Sequence, residues 1–178
     1  MTPPCHAPVA LGLALLASLT LAARAGAEIA VSGNDNKVLN VNGVVMVVPN
    51  PPADTVSLTD LKQSPPKVIG EVQAPGSVVG PPLSIAVTPD ESLALVTASN
   101  KVDPNDKTKQ TPDNRVTVID LKASPPKVIQ TLEAGMGAAG ISVNRQGTLA
   151  LVSNLVDGTV SRSEEHTSEL QSLASLVC

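Results

Sequence analysis

No phenylalanine, tyrosine or tryptophan occurs in the 178 residues of this chain. Aromatic rings supply the largest buried areas of most cores and the flat platforms on which bases, sugars and ammonium groups stack. Their absence argues against base stacking, aromatic cages and sugar platforms. It also leaves Val, Leu, Ile and Ala as the core material. Positive charge is sparse as well, with 12 Lys and Arg against 16 Asp and Glu and a net charge of −4. The densest cationic stretch is Lys107-Thr108-Lys109. Nucleic-acid binding needs a basic face that releases counterions, so no nucleic-acid partner is expected. Cysteine and histidine occur only as Cys5, Cys178, His6 and His166, all near the chain ends. Residues 28–161 therefore hold no disulfide, no thiolate nucleophile, no Ser-His-Asp or Cys-His triad and no His- or Cys-ligated zinc. No catalytic, cofactor-binding or metal-ligating residue is expected in this chain, and no cofactor.

The N-terminus carries an apolar run of 15 residues, Val9 to Ala23, followed by small residues. Ala25-Gly26-Ala27 and Ala23-Arg24-Ala25 both satisfy the A-x-A cleavage pattern, and residues 1–27 read as a helical secretory signal peptide. The run is shorter than the roughly 20 residues a membrane span requires, so no span is expected after cleavage. The n-region lacks Lys and Arg, which departs from the usual signal pattern. Export to the periplasm or beyond is the expected destination.

Internal repetition is the strongest feature of the sequence. Val56 to Ile69 reads VSLTDLKQSPPKVI, and Val116 to Ile129 reads VTVIDLKASPPKVI. Ile85 to Val96 (IAVTPDESLALV) matches Ile141 to Val152 (ISVNRQGTLALV). The best preserved unit resolves into four short strands: Leu83 to Thr88, Leu93 to Ser99, Arg115 to Leu121 and Lys127 to Leu132. The third alternates β-branched and polar residues, the pattern of a half-buried strand. Pro65-Pro66 and Pro125-Pro126 fall between third and fourth strands, where proline removes no ladder bond. Four strands per repeat of about 40 residues is the period of a propeller blade. The spacing is lengthened by an insert at residues 101–114. An earlier, irregular unit offers only Ile29 to Gly33, Thr55 to Leu61 and Lys67 to Val72, with an insertion from Lys37 to Asp54. No first strand precedes Ile29, and the missing one is expected from the other end of the chain.

The expected fold is all-β: a partial β-propeller of about two and a half four-stranded blades. Its divisions are a signal peptide at 1–27, an irregular first blade at 28–74, a second at 83–134 and an incomplete third at 140–161. Residues 162–178 form a tail of different composition.

Several residues invite a chemical reading. Asp103, Asn105 and Asp106 could supply oxygens to a cation, but they show no EF-hand spacing and lie among lysines. A solvated hairpin extension fits them better. Asp60 and Asp120 repeat at equivalent positions, which favours a turn-forming role, since a unique site needs asymmetry between repeats. Gly135 to Gly140 matches GxGxxG, but a strand follows where the dinucleotide fingerprint requires a helix. It reads as a turn between blades.

Gly140 to Ser161, GISVNRQGTLALVSNLVDGTVS, resembles the YVTN-type bacterial propeller repeat, as do IAVTPDESLALVTASN and RVTVIDL. The resemblance covers roughly Ile29 to Ser161. It implies a seven-bladed periplasmic or secreted propeller of the YncE-like and lactonase-like group, with Asp90 in the family's Pro-Asp-Gly turn. Leu95 and Leu151 stand where the family often has tyrosine, so an aromatic-lined binding feature is not carried over. The tail RSEEHTSELQS (Arg162 to Ser172) resembles the conceptual translation of a sequencing-adapter oligonucleotide. Glu164, Glu165, His166 and Glu169 are accordingly not taken as a metal or acid–base site. The expected function is a non-catalytic binding or scaffold module of the bacterial envelope, with an unidentified ligand or protein partner and a monomeric complete protein. The alternative is a lactonase-like hydrolase whose active residues lie in blades beyond this chain.

Overall fold

The computed structural model describes residues 28–77, 84–167, 169–170 and 174–177, with side chains through residue 164. The signal segment at 1–27 lies outside them. All regular structure among the described residues is β-strand. The first sheet is β1 (Ile29–Asn34), β4 (Thr55–Asp60) and β5 (Lys67–Gln73), antiparallel in the order β1-β4-β5. Between its first two strands lies a separate hairpin, β2 (Val38–Val41) and β3 (Val44–Val47). The hairpin turns on Asn42 (φ 52°) and Gly43 (φ 85°). Two consecutive left-handed residues give the turn twist that antiparallel strands favour, and Asn-Gly supplies them at low cost. An Asn-Gly pair amid valines is the sequence mark of such a hairpin, within a segment expected only as an insertion.

The second sheet orders β6 (Ile85–Val87), β7 (Leu93–Thr97), β10 (Arg115–Asp120) and β11 (Lys127–Glu133) as β11-β10-β7-β6. β6 is shorter than the expected Leu83 to Thr88. The insert forms a two-stranded arm, β8 (Asn100–Val102) with β9 (Gln110–Pro112). In the repeat, β1, β4 and β5 correspond to β7, β10 and β11, so the first sheet lacks a counterpart of β6. One edge of β1 pairs with β4; no described strand pairs with the other. The repeated stretches behave alike: β4–β5 and β10–β11 each carry a register shift before the last pairs, and Ser64-Pro65 and Ser124-Pro125 are both cis.

The third sheet contains β12 (Ala138–Val143), β13 (Leu149–Asn154) and β14 (Thr159–Thr167). It continues into β15 (Glu169–Leu170), while β16 (Ala174–Val177) pairs with β14. The strand expected to break off at Ser161 instead runs on to Thr167, and the third sheet gains a fourth and a fifth member. The reason is visible in the side chains. Ser161 and Ser163 are buried, and both are small enough to sit on the packed face without displacing β13. Arg162, the residue between them, is exposed. The period-two alternation therefore survives the change in composition.

The three sheets stack face to face through two cores. Val56 and Leu58 of β4 meet Ala94 and Val96 of β7 and Ile119 of β10. On the opposite face of the middle sheet, Leu95, Val116 and Val118 meet Ile141, Ala150 and Val152. Successive strand residues point to opposite faces, so both faces of the middle sheet are covered. This overturns the expectation that Arg115 to Leu121 is half-buried: Val116, Thr117, Val118 and Ile119 are all buried. A strand enclosed on both faces reads as a continuous apolar run. Thr117 disguised that run because threonine is both β-branched and polar. The sheets also touch strand to strand, β1 and β12 each against β6, and β5 against β11.

Candidate ligand site

A cavity of about 400 Å³ opens where the loops of the first and second sheets meet. Its walls come from the segment before β4 (Pro51 to Asp54), the end of β5 (Gln73 to Pro75), β8 (Asn100–Val102), Lys37 and Arg115. The sequence places these residues together by repetition. The corresponding strands β4 and β10 both begin at this rim, and the two inserts, the β2–β3 hairpin and the β8–β9 arm, rise from equivalent connections.

On one side of the cavity, a buried ion cluster locks the first insert. Lys37 Nζ donates to Asp35 Oδ1 at 2.9 Å, to Asp54 Oδ2 at 2.7 Å and to the Gly76 carbonyl. These three partners account for the three ammonium protons. Asp54 is similarly committed: its Oδ1 accepts from the Asn36 amide at 2.9 Å and its Oδ2 from the Gly76 amide at 3.2 Å. On the other side, Arg115 donates through Nε and Nη2 to Asp113 at 2.9 and 2.5 Å. Asp113 is buried, and its own carbonyl accepts from the Gly137 and Ala138 amides, tying this rim to the third sheet. Burial opposes ionisation of Asp113. The Arg115 and Asn114 hydrogen bonds and the charges of Arg115 and Lys101 outweigh it and hold the carboxyl below its ordinary value.

A second cavity, also about 400 Å³, lies beside the unpaired edge of β1. Val31 to Asp35, Gly76, Ser77, Ser84 and Ile85 line it. Val87 and Val96 complete its walls.

The aspartates noted in the sequence face local turns. Asp60 Oδ1 accepts from the Lys62 amide at 2.8 Å, and Asp120 Oδ1 from the Lys122 and Ala123 amides at 2.9 and 3.1 Å. Asp90 Oδ1 accepts from the Thr88 hydroxyl and from both the hydroxyl and the amide of Ser92. Those hydrogen bonds lower its pKa to about 2. Asp103 accepts from the Asn105 amide, while Asp106 takes Thr108 and an ion pair with Lys109 at 2.8 Å. The acidic oxygens of the insert thus turn inward on their own loop and do not converge on a common point. Gly135 to Gly137 forms a bend packed on residues 154–157, and β12 begins directly after it. Of the tail residues, Glu164 pairs with Arg162; the side chains of Glu165, His166 and Glu169 lie outside the description. No group of three or more His, Cys, Asp or Glu placed to hold a metal occurs among the described residues. No helix among them is long and apolar enough to cross a membrane.

The Lys37 cluster and the Arg115–Asp113 pair were missed by sequence reasoning. Asp35, Lys37 and Asp54 fall in a segment without repeat partners, and Arg115 reads simply as the first residue of a strand. The one available signal was the coincidence of two inserts at equivalent points of neighbouring repeats.

No protein-family model and no curated protein matches the sequence. Solved structures do. A candidate 6-phosphogluconolactonase from Bacteroides fragilis superposes with a TM-score of 0.50 at 13% identity, over 83% of this chain and 37% of its own. A candidate 6-phosphogluconolactonase from Bacteroides uniformis gives 0.45 at 14% identity, over 83% of this chain and 41% of its own. A protein of unknown function from Desulfotomaculum acetoxidans gives 0.34 at 16% identity, over 75% and 52%. The first of these likenesses shows the fold: this chain shares the all-β fold of that structure and spans 37% of its length.

Proposed function

We propose that this chain is a run of consecutive blades from an exported β-propeller of the YVTN-type, lactonase-like group, and that it serves as a ligand-binding scaffold. The observation that carries the reading is the middle sheet, a four-stranded meander packed on both faces by sheets of the same repeat. Stacked meanders of this kind are how propellers bury their sheets. The unpaired edge of β1 supports closure by a strand from elsewhere in the complete protein. The seven-blade count, the signal peptide and a monomeric complete protein belong to the same proposal. So does the reading of residues 162–178 as foreign to the native repeat.

A second reading, hydrolysis of a lactone by the complete protein, is favoured by the description of the Bacteroides fragilis structure. Residues 28–161 offer no His or Cys for it, so its catalytic groups would belong to blades outside this chain. The test is an assay of the complete gene product and of this chain against a panel of γ- and δ-lactones. The scaffold reading expects turnover from neither. Turnover by the complete product alone would replace it with the hydrolase reading, and turnover by this chain would overturn both.

A further inference from the structure

We propose that the cavity between the first and second sheets binds a small organic monocarboxylate. The inference does not depend on the number of blades, because the residues that line the cavity all come from the first two sheets and their inserts.

The carboxylate and ammonium groups at its rim are unequally committed. Asp54 has both oxygens occupied by backbone amides and Lys37, and Lys37 has spent its donors on Asp35, Asp54 and the Gly76 carbonyl. Asp113 is buried behind Arg115 and accepts from it twice over. The acceptors are therefore closed to a ligand. The donors are open. The Lys101 ammonium makes no hydrogen bond or ion pair among the described residues, though its charge acts on Asp113, and Arg115 engages Asp113 through Nε and Nη2 only, leaving Nη1. A guanidinium carries five donor protons in a fork suited to a carboxylate. A cavity whose carboxylates are committed and whose cationic donors are free favours an anion.

Charge and surface narrow the class. Lys101 and Arg115 against Asp113 leave one net positive charge at this end, and Lys37 against Asp35 and Asp54 leaves one net negative charge across the cavity, so a singly charged headgroup seats at the Lys101–Arg115 end and a phosphate dianion would meet the Asp35–Asp54 side. The remaining wall is mainly apolar, with Pro51, Pro52, Pro75 and Val102 beside the amides of Gln73 and Asn100. A rigid proline-lined surface gains by burying a short aliphatic or alicyclic body and loses little entropy in doing so. Small-molecule sites commonly combine such walls with a few convergent polar groups.

The experiment titrates the 178-residue chain with hexanoate, hexanamide and inorganic phosphate, following backbone amide shifts by NMR. Hexanoate is expected to saturate with a Kd in the millimolar range, the scale for a ligand of about eight heavy atoms. Hexanamide is expected to bind at least about tenfold more weakly, because it cannot form the charge-assisted bonds. Lys101→Gln should weaken hexanoate about fivefold or more, while Lys107→Gln, in the same arm but outside the cavity wall, should leave it unchanged. Lys101 is exposed, so its replacement leaves the core intact. Equal affinity for acid and amide, tighter binding of phosphate than of hexanoate, an unaltered affinity in Lys101→Gln, or no saturation by hexanoate would each overturn the proposal.

Discussion

Replacing Gly137 by alanine tests the bend that joins the second sheet to the third. Gly137 has φ 73°, a left-handed conformation, and a Cβ added there would lie 2.8 Å from both the Val156 amide nitrogen and Val156 Cγ2. The Val156 amide cannot withdraw, because it donates to the Met136 carbonyl at 3.1 Å while Leu155 donates to the Gly137 carbonyl at 2.9 Å. Two costs therefore add. An L-residue in the left-handed region costs about 1–2 kcal/mol. Forcing extra volume into a packed contact costs about 1–3 kcal/mol more. Gly43→Ala separates them: Gly43 has φ 85° and nothing within 4 Å of an added Cβ, so it carries the first cost alone. The chain has no aromatic residue, so urea unfolding is followed by far-UV circular dichroism. With a urea m-value of about 1–3 kcal/mol per molar, Gly137→Ala should lower the midpoint by about 1–2 M, at least twice the shift of Gly43→Ala. Equal shifts for the two variants would show that the close approach to Val156 is absent and that only the backbone angle matters.

Two further outcomes concern the charged groups. Lys37→Met leaves Asp35 and Asp54 in buried positions without their cation, and it is expected to destabilise the chain by about 3–5 kcal/mol, read as a fall in urea midpoint; a shift under about 0.5 kcal/mol, the size usual at a surface, would contradict the buried cluster. Asp90 titrates at about 2 rather than its ordinary 3.8 because the Thr88 and Ser92 hydroxyls and the Ser92 amide hydrogen-bond the ionised form. Its contribution to stability is thus present above about pH 4 and is lost as the pH falls toward 2. Urea midpoints measured across that window should decline less steeply in Asp90→Asn than in the parent, and identical slopes would remove Asp90 from the acid response.

How far the sequence reaches depends on where repetition operates. The strands β4, β5, β10 and β11 lie within a residue or two of the expected positions, because Val-Ser-Leu and Val-Thr-Val alternate at period two beside a repeated Asp and Pro-Pro turn. The depth of burial was harder to read. Thr117 looks like a solvent-facing residue, yet it is enclosed because another sheet covers its face, and covering is a property of neighbours. The hairpin β2–β3 carries an Asn42-Gly43 turn that the sequence displays, but it lies in an insert whose sequence has no counterpart among the repeats. The candidate site was not legible. It joins Lys37, Asp54, Lys101 and Arg115, which are separated by up to 78 positions, and the long gap between Asp54 and Lys101 closes only once the sheets stack. The reach of β14 past Ser161 was hidden by composition, since Ser161 and Ser163 fill core positions by small size without being apolar.

The central claim is that these sheets are blades of a larger ring closed on β1, and hydrogen exchange on that strand tests it most directly. Amides of Ile29–Asn34 on the side away from β4 have no described strand to bond, so in the 178-residue chain they should exchange at near-unprotected rates. In the complete gene product a closing strand should protect those same amides to the level of the β7 and β10 amides in the middle sheet. Fast exchange on that edge in the complete product, with β7 and β10 protected, would mean that nothing closes on β1 and would contradict the ring.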